Sequence, residues 1–498
     1  MQKDTSLAKE VSDRKLTNIS IARLSQKVKK NMSLTAKIAK NTIYLALGKA
    51  FSTALGVLTI ALLLRYLSPD DYGRYTTVLA FVLLFGTFAD FGLNLTTTQD
   101  ISLPETNVEK TISSIFTLRL LVNIILILLL PLLLLAFPYE KTVKHAILIS
   151  SALFFTSSLF QVLASYFQKT LQAGKVALAE FIGRVALLLT TMLAIYFQFS
   201  FIQIMFTIVA SSLFQFWALL RYISREINLR LIIDLDTWKR IMAKTWPIAL
   251  SVVFTTIYFK GDAIILSLAR PYEDVGIYGA AYKILEVLIT LPILFMGLIL
   301  PHLTHSFASG DRDKFNKFMQ KSWDALSLFT IPMVAGTLVL APKIIKLIAG
   351  EGYEASGEVL RILIIATGII FLGSLFTHAI VAINKQKSMI IFYAIAAALA
   401  VGLYIIYIPR YSYYAAAVVT AIAELLIALA AYLKVKTTTN MSLSLLTFGK
   451  ALIASALMAA ILYFLIDLNV FLLLIIGAIV YLALIWRMKT ISTVIPSP

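Results

Sequence analysis

The stretch from residue 111 to residue 137, TISSIFTLRLLVNIILILLLPLLLLAF, contains only one charged residue, Arg119. A helix needs about 20 apolar residues to cross about 30 Å of hydrocarbon, so this run is long enough to span a membrane. It has no polar face that water could solvate. Similar runs recur along the chain, at 41 to 65, 72 to 98, 111 to 137, 144 to 168, 174 to 197, 201 to 224, 245 to 268, 276 to 301, 322 to 348, 357 to 383, 388 to 409, 413 to 436, 445 to 466 and 469 to 487. The sequence therefore predicts an all-α integral membrane protein with about 14 transmembrane helices.

The composition excludes a water-soluble enzyme with a single membrane anchor. Of the 498 residues, 59% are hydrophobic and only 14% are charged, and the mean hydropathy is +0.87. A soluble protein with this composition would expose too much apolar surface. The absence of cysteine excludes disulfides, thiolate metal sites and cysteine nucleophiles.

The distribution of positive charge predicts the orientation in the membrane. The formal net charge is +18, and about 29 Lys and Arg lie in the tails and connections on the N-terminal side, against about 9 on the other side. This asymmetry is typical of membrane topology, so no nucleic-acid partner is expected. An even helix number and the positive-inside rule predict both termini in the cytoplasm, with the protein in the plasma membrane. Residues 1–40 form a basic tail, either solvated or lying as an amphipathic helix on anionic lipid headgroups.

The longest internal polar segment divides the chain into two six-helix units. It covers residues 225–244 and is predicted to be a cytoplasmic linker. An N-lobe at 41–224 (helices 1–6) and a C-lobe at 245–436 (helices 7–12) flank this linker. Residues 437–498 add two further helices and a short tail.

A short internal repeat supports this division. Asp71, Gly73 and Tyr75, between predicted helices 1 and 2, recur after a constant offset of 203 residues between helices 7 and 8. Transporters are commonly built from such repeats, with the substrate bound between them. The matching residues are Asp274, Gly276 and Tyr278.

Ten charged residues lie well inside the predicted spans. An ionised side chain at the bilayer centre costs about 2.5–3.5 kcal/mol on insertion scales, so each should face protein or a water-filled cavity. The bases are Lys49, Arg119, Arg184, Lys260 and Lys283, and the acids are Asp90, Glu180, Asp262, Glu286 and Glu424.

Two interpretations of these charges remain open. Glu180 with Arg184, and Lys283 with Glu286, share helix faces and can form structural ion pairs. The other three bases, Lys49, Arg119 and Lys260, have no partner three or four residues away. They either pair with Asp90, Asp262 or Glu424 across helices, or hold an anionic headgroup such as a diphosphate. All five acids are candidates for ion coupling or for structural pairing.

The sequence contains no constellation typical of catalysis. His145, His302, His305 and His378 are scattered, and neither an HExxH pattern nor a phosphate-binding loop is present. We therefore expect no enzyme activity, no cofactor and no metal site. Pro131, Pro292 and Pro332, inside predicted helices, are candidate hinges or ordinary membrane-helix prolines.

Several motifs resemble polysaccharide-export flippases of the Wzx type, within the multidrug/oligosaccharidyl-lipid/polysaccharide (MOP) exporter superfamily. The resemblance runs from about residue 40 to 435, with LLLRYLSPDDYGRYTTVLAF at 62–81 and FADFGLNL at 88–95. The segment YYAAAVVTAIAE departs from the family, which often has Gly before its small residues, although Glu424 fits. The further matching segments are WPIALSVVFTTIYFKGDAIILSLARPYEDVGIYGAAYKI at 246–284, LPHLTHSFASGDRDKF at 300–315, IAGEGYEASGEVLRIL at 348–363 and AINKQKS at 382–388.

The resemblance implies a V-shaped arrangement of two six-helix lobes like that of the MATE transporters. It also implies movement of a polyprenyl-(di)phosphate-linked oligosaccharide from the cytoplasmic to the outer leaflet by alternating access, driven by membrane potential or an ion gradient. The five bases would then receive the lipid phosphate, and membrane lipids, coupling Na⁺ or H⁺, glycosyltransferases and a polymerase would be partners. The alternatives are a MATE-type organic-cation antiporter coupled to Na⁺ or H⁺, a lipid II flippase, and a non-transporting membrane scaffold.

Overall fold

The computed structural model describes residues 48, 51–90, 92–103, 106–488 and 490. These residues form only helices and their connections. The helices are α1 Phe51–Tyr66, α2 Pro69–Asp90, α3 Leu93–Ile101, α4 Val108–Leu135, α5 Lys141–Lys169, α6 Ala173–Tyr196, α7 Phe201–Ile223, α8 Leu235–Ala269, α9 Tyr272–Leu288, α10 Thr290–Ala308, α11 Arg312–Ala349, α12 Ala355–Ala382, α13 Gln386–Thr439, α14 Leu446–Phe464 and α15 Val470–Arg487.

The fold is a bundle of membrane-spanning helices. Eleven helices of the described chain are long and apolar enough to cross a bilayer, with α9 and α10 counted as one continuous span. The helices differ from the apolar runs of the sequence in three places. The run at 72–98 is divided into α2 and α3, the run at 276–301 into α9 and α10, and α13 covers two runs.

Local backbone conformation accounts for two of these differences. Between α2 and α3, Gly92 adopts a left-handed conformation with φ 72°, which costs little for a residue without a Cβ. Inside α13, Ser412 has φ 50° and ψ −135°, three residues after Pro409, so the long helix turns sharply there. Ser412 Oγ donates to Asp274 at 2.6 Å, which holds the turn against the start of α9.

Helix α8 begins ten residues before the predicted start of its span. Asp234 caps it, accepting a hydrogen bond from the Thr237 backbone N–H at 3.1 Å. The candidate membrane span covers only Ala249–Ala269. The residues of α8 before this span belong to the segment predicted as linker. Because they are largely polar, hydropathy did not predict that they are helical.

The packing follows two sequential groups of helices. Helices α4 to α7 pack among themselves and on α2, whereas α10 to α13 pack among themselves and on α8 and α9. The groups meet mainly where α2 lies on α8 and α9. This contact brings together the two copies of the sequence repeat.

The last two helices form an appendage on the second group. Helix α14 packs on α11, and α15 packs on α14. Between them lies a cavity of about 550 Å³ lined by apolar residues, including Pro332, Gly336, Met458 and Gly477. Only an apolar occupant, such as a lipid chain, would suit this lining.

The bundle has two chemically distinct ends. At the first, called here the α1–α2 end, the Tyr353 hydroxyl donates to the Leu67 carbonyl at 3.1 Å. At the opposite one, called here the linker end, buried Asp100 of α3 pairs with Arg240 and Lys244 of α8, each at 3.0 Å. Both ends are therefore bridged between the two helix groups.

Candidate functional site

A charged cluster lies where α8 and α9 meet α2. The Glu286 carboxylate accepts hydrogen bonds from Lys260 Nζ and, at 2.6 Å, from Lys283 Nζ. The Lys260 ammonium also lies over the Tyr282 ring, 4.7 Å from its centroid. With two lysines and one glutamate, the cluster carries a net charge of +1. All three charged side chains are partly exposed, so a ligand can reach them.

Tyrosines complete this site. A cavity of about 50 Å³ is lined by the three charged residues and by Tyr72, Tyr75, Tyr278 and Tyr282. The first two tyrosines come from α2 and the last two from α9, so both copies of the repeat contribute. Their phenol groups give the cavity flat apolar faces with hydroxyl edges, a lining that suits a polar organic group. We call this set of residues the Lys/Tyr site.

Asp262 is fully buried beside the Lys/Tyr site and is satisfied without a cation. It accepts hydrogen bonds from the Tyr278 hydroxyl at 2.5 Å, the Ala263 backbone N–H at 2.6 Å and the Thr420 hydroxyl at 3.4 Å. Thr420 lies 3.2 Å from the Tyr404 hydroxyl, which donates to the Tyr258 carbonyl. The carboxylate thereby ties α8, α9 and α13 together.

Arg119 is buried in the first helix group and pairs with Asp90. Its Nη2 lies 2.5 Å from the Asp90 carboxylate, and its Nη1 donates to the Ser158 carbonyl at 2.7 Å. The Arg119 side chain has no exposed surface. This is the cross-helix pairing that the sequence left open, and it places Arg119 away from the Lys/Tyr site.

The remaining predicted site residues are dispersed. Arg184 is exposed and lies near Gly56 of α1, whereas Glu180 is half-buried; among the described residues the two form no ion pair with each other. Lys49 lies outside the described residues. Of the four predicted bases that the structure describes, Lys260 and Lys283 share one carboxylate, and Arg184 lies close enough to interact electrostatically with Tyr75 of the Lys/Tyr site.

Glu424 lies in a separate cavity inside the second helix group. This cavity of about 280 Å³ is also lined by His378, Tyr258 and Tyr393. Within the described part of the chain, no hydrogen bond or ion pair reaches the Glu424 carboxylate, which is 9% exposed. An isolated buried carboxylate is costly, so this position is chemically distinct from Asp262.

Sequence reasoning missed the tyrosines of the Lys/Tyr site and the acid at the linker end. Tyr75 and Tyr278 were visible as part of the repeat, and that repetition was the signal that could have identified them as site residues. Asp100 lies near a predicted span boundary, where an acid is ordinarily solvated. Only the fold shows that Asp100 is buried and pairs with Arg240 and Lys244.

This architecture defines a class of protein: a polytopic, all-helical membrane protein with two helix groups around a polar site. The MATE-like arrangement is shared with solved transporters. A lipid II flippase, MurJ, in an inward closed conformation aligns with a TM-score of 0.77 at 18% identity, over 90% of this chain and 100% of its own. An inward-facing multidrug resistance MATE transporter of the MOP superfamily aligns with a TM-score of 0.66 at 14% identity, over 78% and 94%.

Sequence comparison identifies the family. The family model described as "Polysaccharide biosynthesis protein" matches residues 38–307, which is more than half of the chain, and the MatE model matches residues 247–408. A curated relative, "Putative O-antigen transporter" of Escherichia coli (strain K12), is 27% identical over 342 residues, which cover 66% of this chain and 79% of the relative. The chain belongs to the polysaccharide biosynthesis protein family.

Proposed function

We propose that the protein is a flippase that moves a polyprenyl-(di)phosphate-linked oligosaccharide from the cytoplasmic to the outer leaflet. The position of Lys283 is the observation that carries this proposal. It lines the Lys/Tyr site and also an apolar crevice of about 100 Å³ between α1 and α9. The apolar walls of the crevice include Ile60, Leu64 and Val287. An amphipathic ligand with an anionic head and an apolar chain matches this juxtaposition.

The chemistry of the Lys/Tyr site supports an anionic headgroup. Lys260 and Lys283 share one carboxylate, and a diphosphate would offer them more charge than Glu286 does. Tyrosine hydroxyls and rings would contact the first sugars. In this proposal the phosphate binds the lysines, the glycan occupies the space between the helix groups, and the chain leaves through the crevice toward lipid. Arg184 and Lys49 are further candidate contacts of the phosphate.

We infer alternating access from the two bridged ends. The α1–α2 end and the linker end would open in turn, each exposing the Lys/Tyr site to one side. With both termini in the cytoplasm, as the positive-inside rule indicates, the linker end faces the cytoplasm. Outward movement of negative charge across an inside-negative potential releases about 2.3 kcal/mol per charge per 100 mV, so the potential can drive the cycle. Coupling to Na⁺ or H⁺ would use Asp262 or Glu424.

The second candidate is an organic-cation antiporter of the MATE type. The buried carboxylates Asp262 and Glu424, neither paired with a base among the described residues, favour it. A lipid II flippase differs from our proposal in substrate alone. Glycosyltransferases and a polymerase would supply and consume the proposed substrate.

Transport in proteoliposomes separates these candidates. A polyprenyl-diphosphate oligosaccharide is placed on one leaflet, and its appearance on the other is followed with a glycosidase that cannot cross the bilayer. A fluorescent organic cation is tested in parallel vesicles. Protein-dependent movement of the glycan supports the proposal. Movement of the cation without the glycan would establish the antiporter instead.

A further inference from the structure

The segment joining the two helix groups is bound to α4 in an extended conformation. The backbone N–H of Arg230 donates to Ser113 Oγ at 3.2 Å, and that of Ile232 donates to Thr117 Oγ1 at 2.9 Å. At its end, Lys110 pairs with Asp234 at 2.7 Å. After a turn at residues 225–227, residues 228–234 are therefore an extended segment docked on α4, called here the docked strand, rather than a free tether.

This docking leaves one apolar face uncovered. Leu231 and Ile233 are each 69% exposed, and Leu235, which starts α8, is 58% exposed. In an extended chain, alternate residues point to the same side, so the first two form one continuous strip and Leu235 extends it. Three large apolar side chains in a row are unfavourable in water.

The depth of α4 places this strip at the boundary of the hydrocarbon. The 28 residues of α4 extend about 42 Å against about 30 Å of hydrocarbon, so about 12 Å of the helix lies outside the hydrocarbon. Leu132 and Leu135 at the far end are apolar and exposed, so most of this excess lies at the polar start of α4. Ser113 lies about 8 Å from the helix start and Thr117 about 14 Å, on either side of the hydrocarbon edge. Two backbone N–H groups at this depth need internal acceptors, which the two α4 hydroxyls provide. Trp238, whose indole donates to the Ser114 carbonyl at 3.1 Å, is typical of such an interface.

The charges around the strip are predominantly positive once ion pairs are considered. Glu226 and Asp234 are neutralised by Lys175 and Lys110, which come from other helices. Burial acts to raise the pKa of the Glu226 carboxyl, but the hydrogen bonds from Lys175, Tyr166 and Gln172 and the positive charge of Lys175 together outweigh it and lower this pKa. Asp236 is the one acid left unpaired here among the described residues. Four exposed bases have no acidic partner in the described chain: Arg221, Arg225, Arg230 and Lys239.

We propose that residues 225–239 form a binding surface for anionic phospholipid in the leaflet at the linker end. Leu231, Ile233 and Leu235 insert among the acyl chains, and the four bases contact headgroup phosphates. Each base near an anionic membrane surface adds electrostatic attraction to the lipid headgroups. Because the strand connects the two helix groups, its lipid contacts would hold the connection at a fixed depth while the groups move. The proposal does not depend on what the protein transports.

Site-directed spin labelling tests the depth of the strip. The chain has no cysteine, so Ile233→Cys can be labelled directly in nanodiscs that contain phosphatidylglycerol. Leu128→Cys, exposed in the apolar second half of α4, serves as the lipid-facing control, and exposed Lys314→Cys serves as the aqueous control. We expect the Ile233 label to collide with oxygen, as the Leu128 label does, and to be shielded from a water-soluble nickel chelate. If the Ile233 label collided with the nickel chelate as often as the Lys314 label does, the strip would lie in water, where a soluble partner could bind it. This result would overturn the proposal.

Thermal unfolding tests the contribution of charge. Phosphatidylglycerol should raise the Tm above that in phosphatidylcholine alone. The Arg225→Gln/Arg230→Gln variant should lose at least half of this rise, whereas Arg410→Gln, an exposed arginine on α13, should keep it. An equal rise in all three proteins would overturn the headgroup contacts.

Discussion

Gly73 and Gly276, which occupy equivalent positions of the internal repeat, pack reciprocally where α2 crosses α9. A Cβ on Gly73 would overlap the carbonyl oxygen of Tyr272, and a Cβ on Gly276 would overlap that of Pro69. Pro69 and Tyr272 are themselves separated by the repeat offset of 203 residues. The contact is therefore pseudo-symmetric. Only residues without a side chain allow the two helices to approach so closely at the α1–α2 end.

Substitution of either glycine should prevent closure of the α1–α2 end. In Gly73→Ala the added methyl group would overlap the Tyr272 carbonyl oxygen, so α2 and α9 must separate. We expect transport to fall at least tenfold. The Thr76 side chain packs against Gly279 at this contact. A Thr76→Cys reporter should therefore react faster with a water-soluble maleimide in Gly73→Ala protein than in protein that keeps Gly73. Gly297→Ala is the matched control, since its Cβ would meet open space. Wild-type transport by Gly73→Ala would show that this end closes elsewhere.

A disulfide across the linker end should arrest the cycle reversibly. The hydroxyls of Thr96 in α3 and Thr245 in α8 lie 2.7 Å apart, and the chain contains no competing cysteine. Oxidised Thr96→Cys/Thr245→Cys protein should lose transport and regain it with dithiothreitol. Each single cysteine variant is the control. Adding Asp100→Asn should slow cross-linking, because it removes the charge that holds Arg240 and Lys244. Continued transport by the cross-linked protein would contradict alternating access through this end.

The Arg119–Asp90 pair should contribute to stability rather than to substrate binding. Removal of one partner leaves an uncompensated buried charge, so Arg119→Leu should lower the free energy of unfolding by about 3–5 kcal/mol. The double variant Arg119→Leu/Asp90→Leu should recover most of this loss. Unfolding of each variant in detergent measures the loss of stability in Arg119→Leu and its recovery in the double variant. Wild-type stability of Arg119→Leu, together with lost substrate affinity, would move Arg119 into the binding site.

Glu286 should compete with the substrate for two lysines. Glu286→Gln leaves Lys260 and Lys283 without their shared carboxylate, so the affinity for an anionic lipid headgroup should rise about tenfold, about 1.4 kcal/mol. Lys260→Ala should lower this affinity. Titration of a soluble diphosphate-sugar analogue at several salt concentrations measures both changes. Weaker binding to Glu286→Gln would instead assign the glutamate to direct substrate contact.

The strand between the helix groups should remain docked across the physiological pH range. The hydrogen bond from Lys110 lowers the pKa of Asp234 to about 2, below the ordinary value of about 3.9. A lowered pKa means that this interaction is fully present above about pH 4 and is lost as the pH falls toward 2. A spin label at Ile233 should therefore be equally immobile from pH 8 to pH 5 and mobile near pH 2. Asp234→Asn should be mobile already at pH 7.

The sequence predicted most of the architecture because hydrocarbon imposes one strong constraint. Long apolar runs can only be helices in lipid. The repeat at Gly73 and Gly276 predicted two related helix units, but it did not predict that α2 and α9 would meet at these glycines. The helix breaks at Gly92 and Ser412 depend on single backbone torsions, which hydropathy does not report. The early start of α8 depends on the Asp234 cap.

The site was harder to predict because pairing is decided in three dimensions. The charges inside the predicted spans indicated a polar interior, but not which residues pair. Lys260 pairs with Glu286 on another helix, and Arg119 of α4 pairs with Asp90 of α2. Tyrosines such as Tyr282 carry no charge and look like ordinary membrane residues. Their role depends on facing the two lysines.

The rate of glycan-lipid flipping by Lys260→Ala/Lys283→Ala protein tests the central claim most directly. Proteoliposomes carrying a polyprenyl-diphosphate oligosaccharide and an inside-negative potential are sampled with an external glycosidase. An exposed-lysine control, Lys314→Ala/Lys317→Ala, is measured beside them. The account predicts flipping by wild type and control and at least a tenfold loss in the double variant. Equal flipping by all three proteins would contradict it.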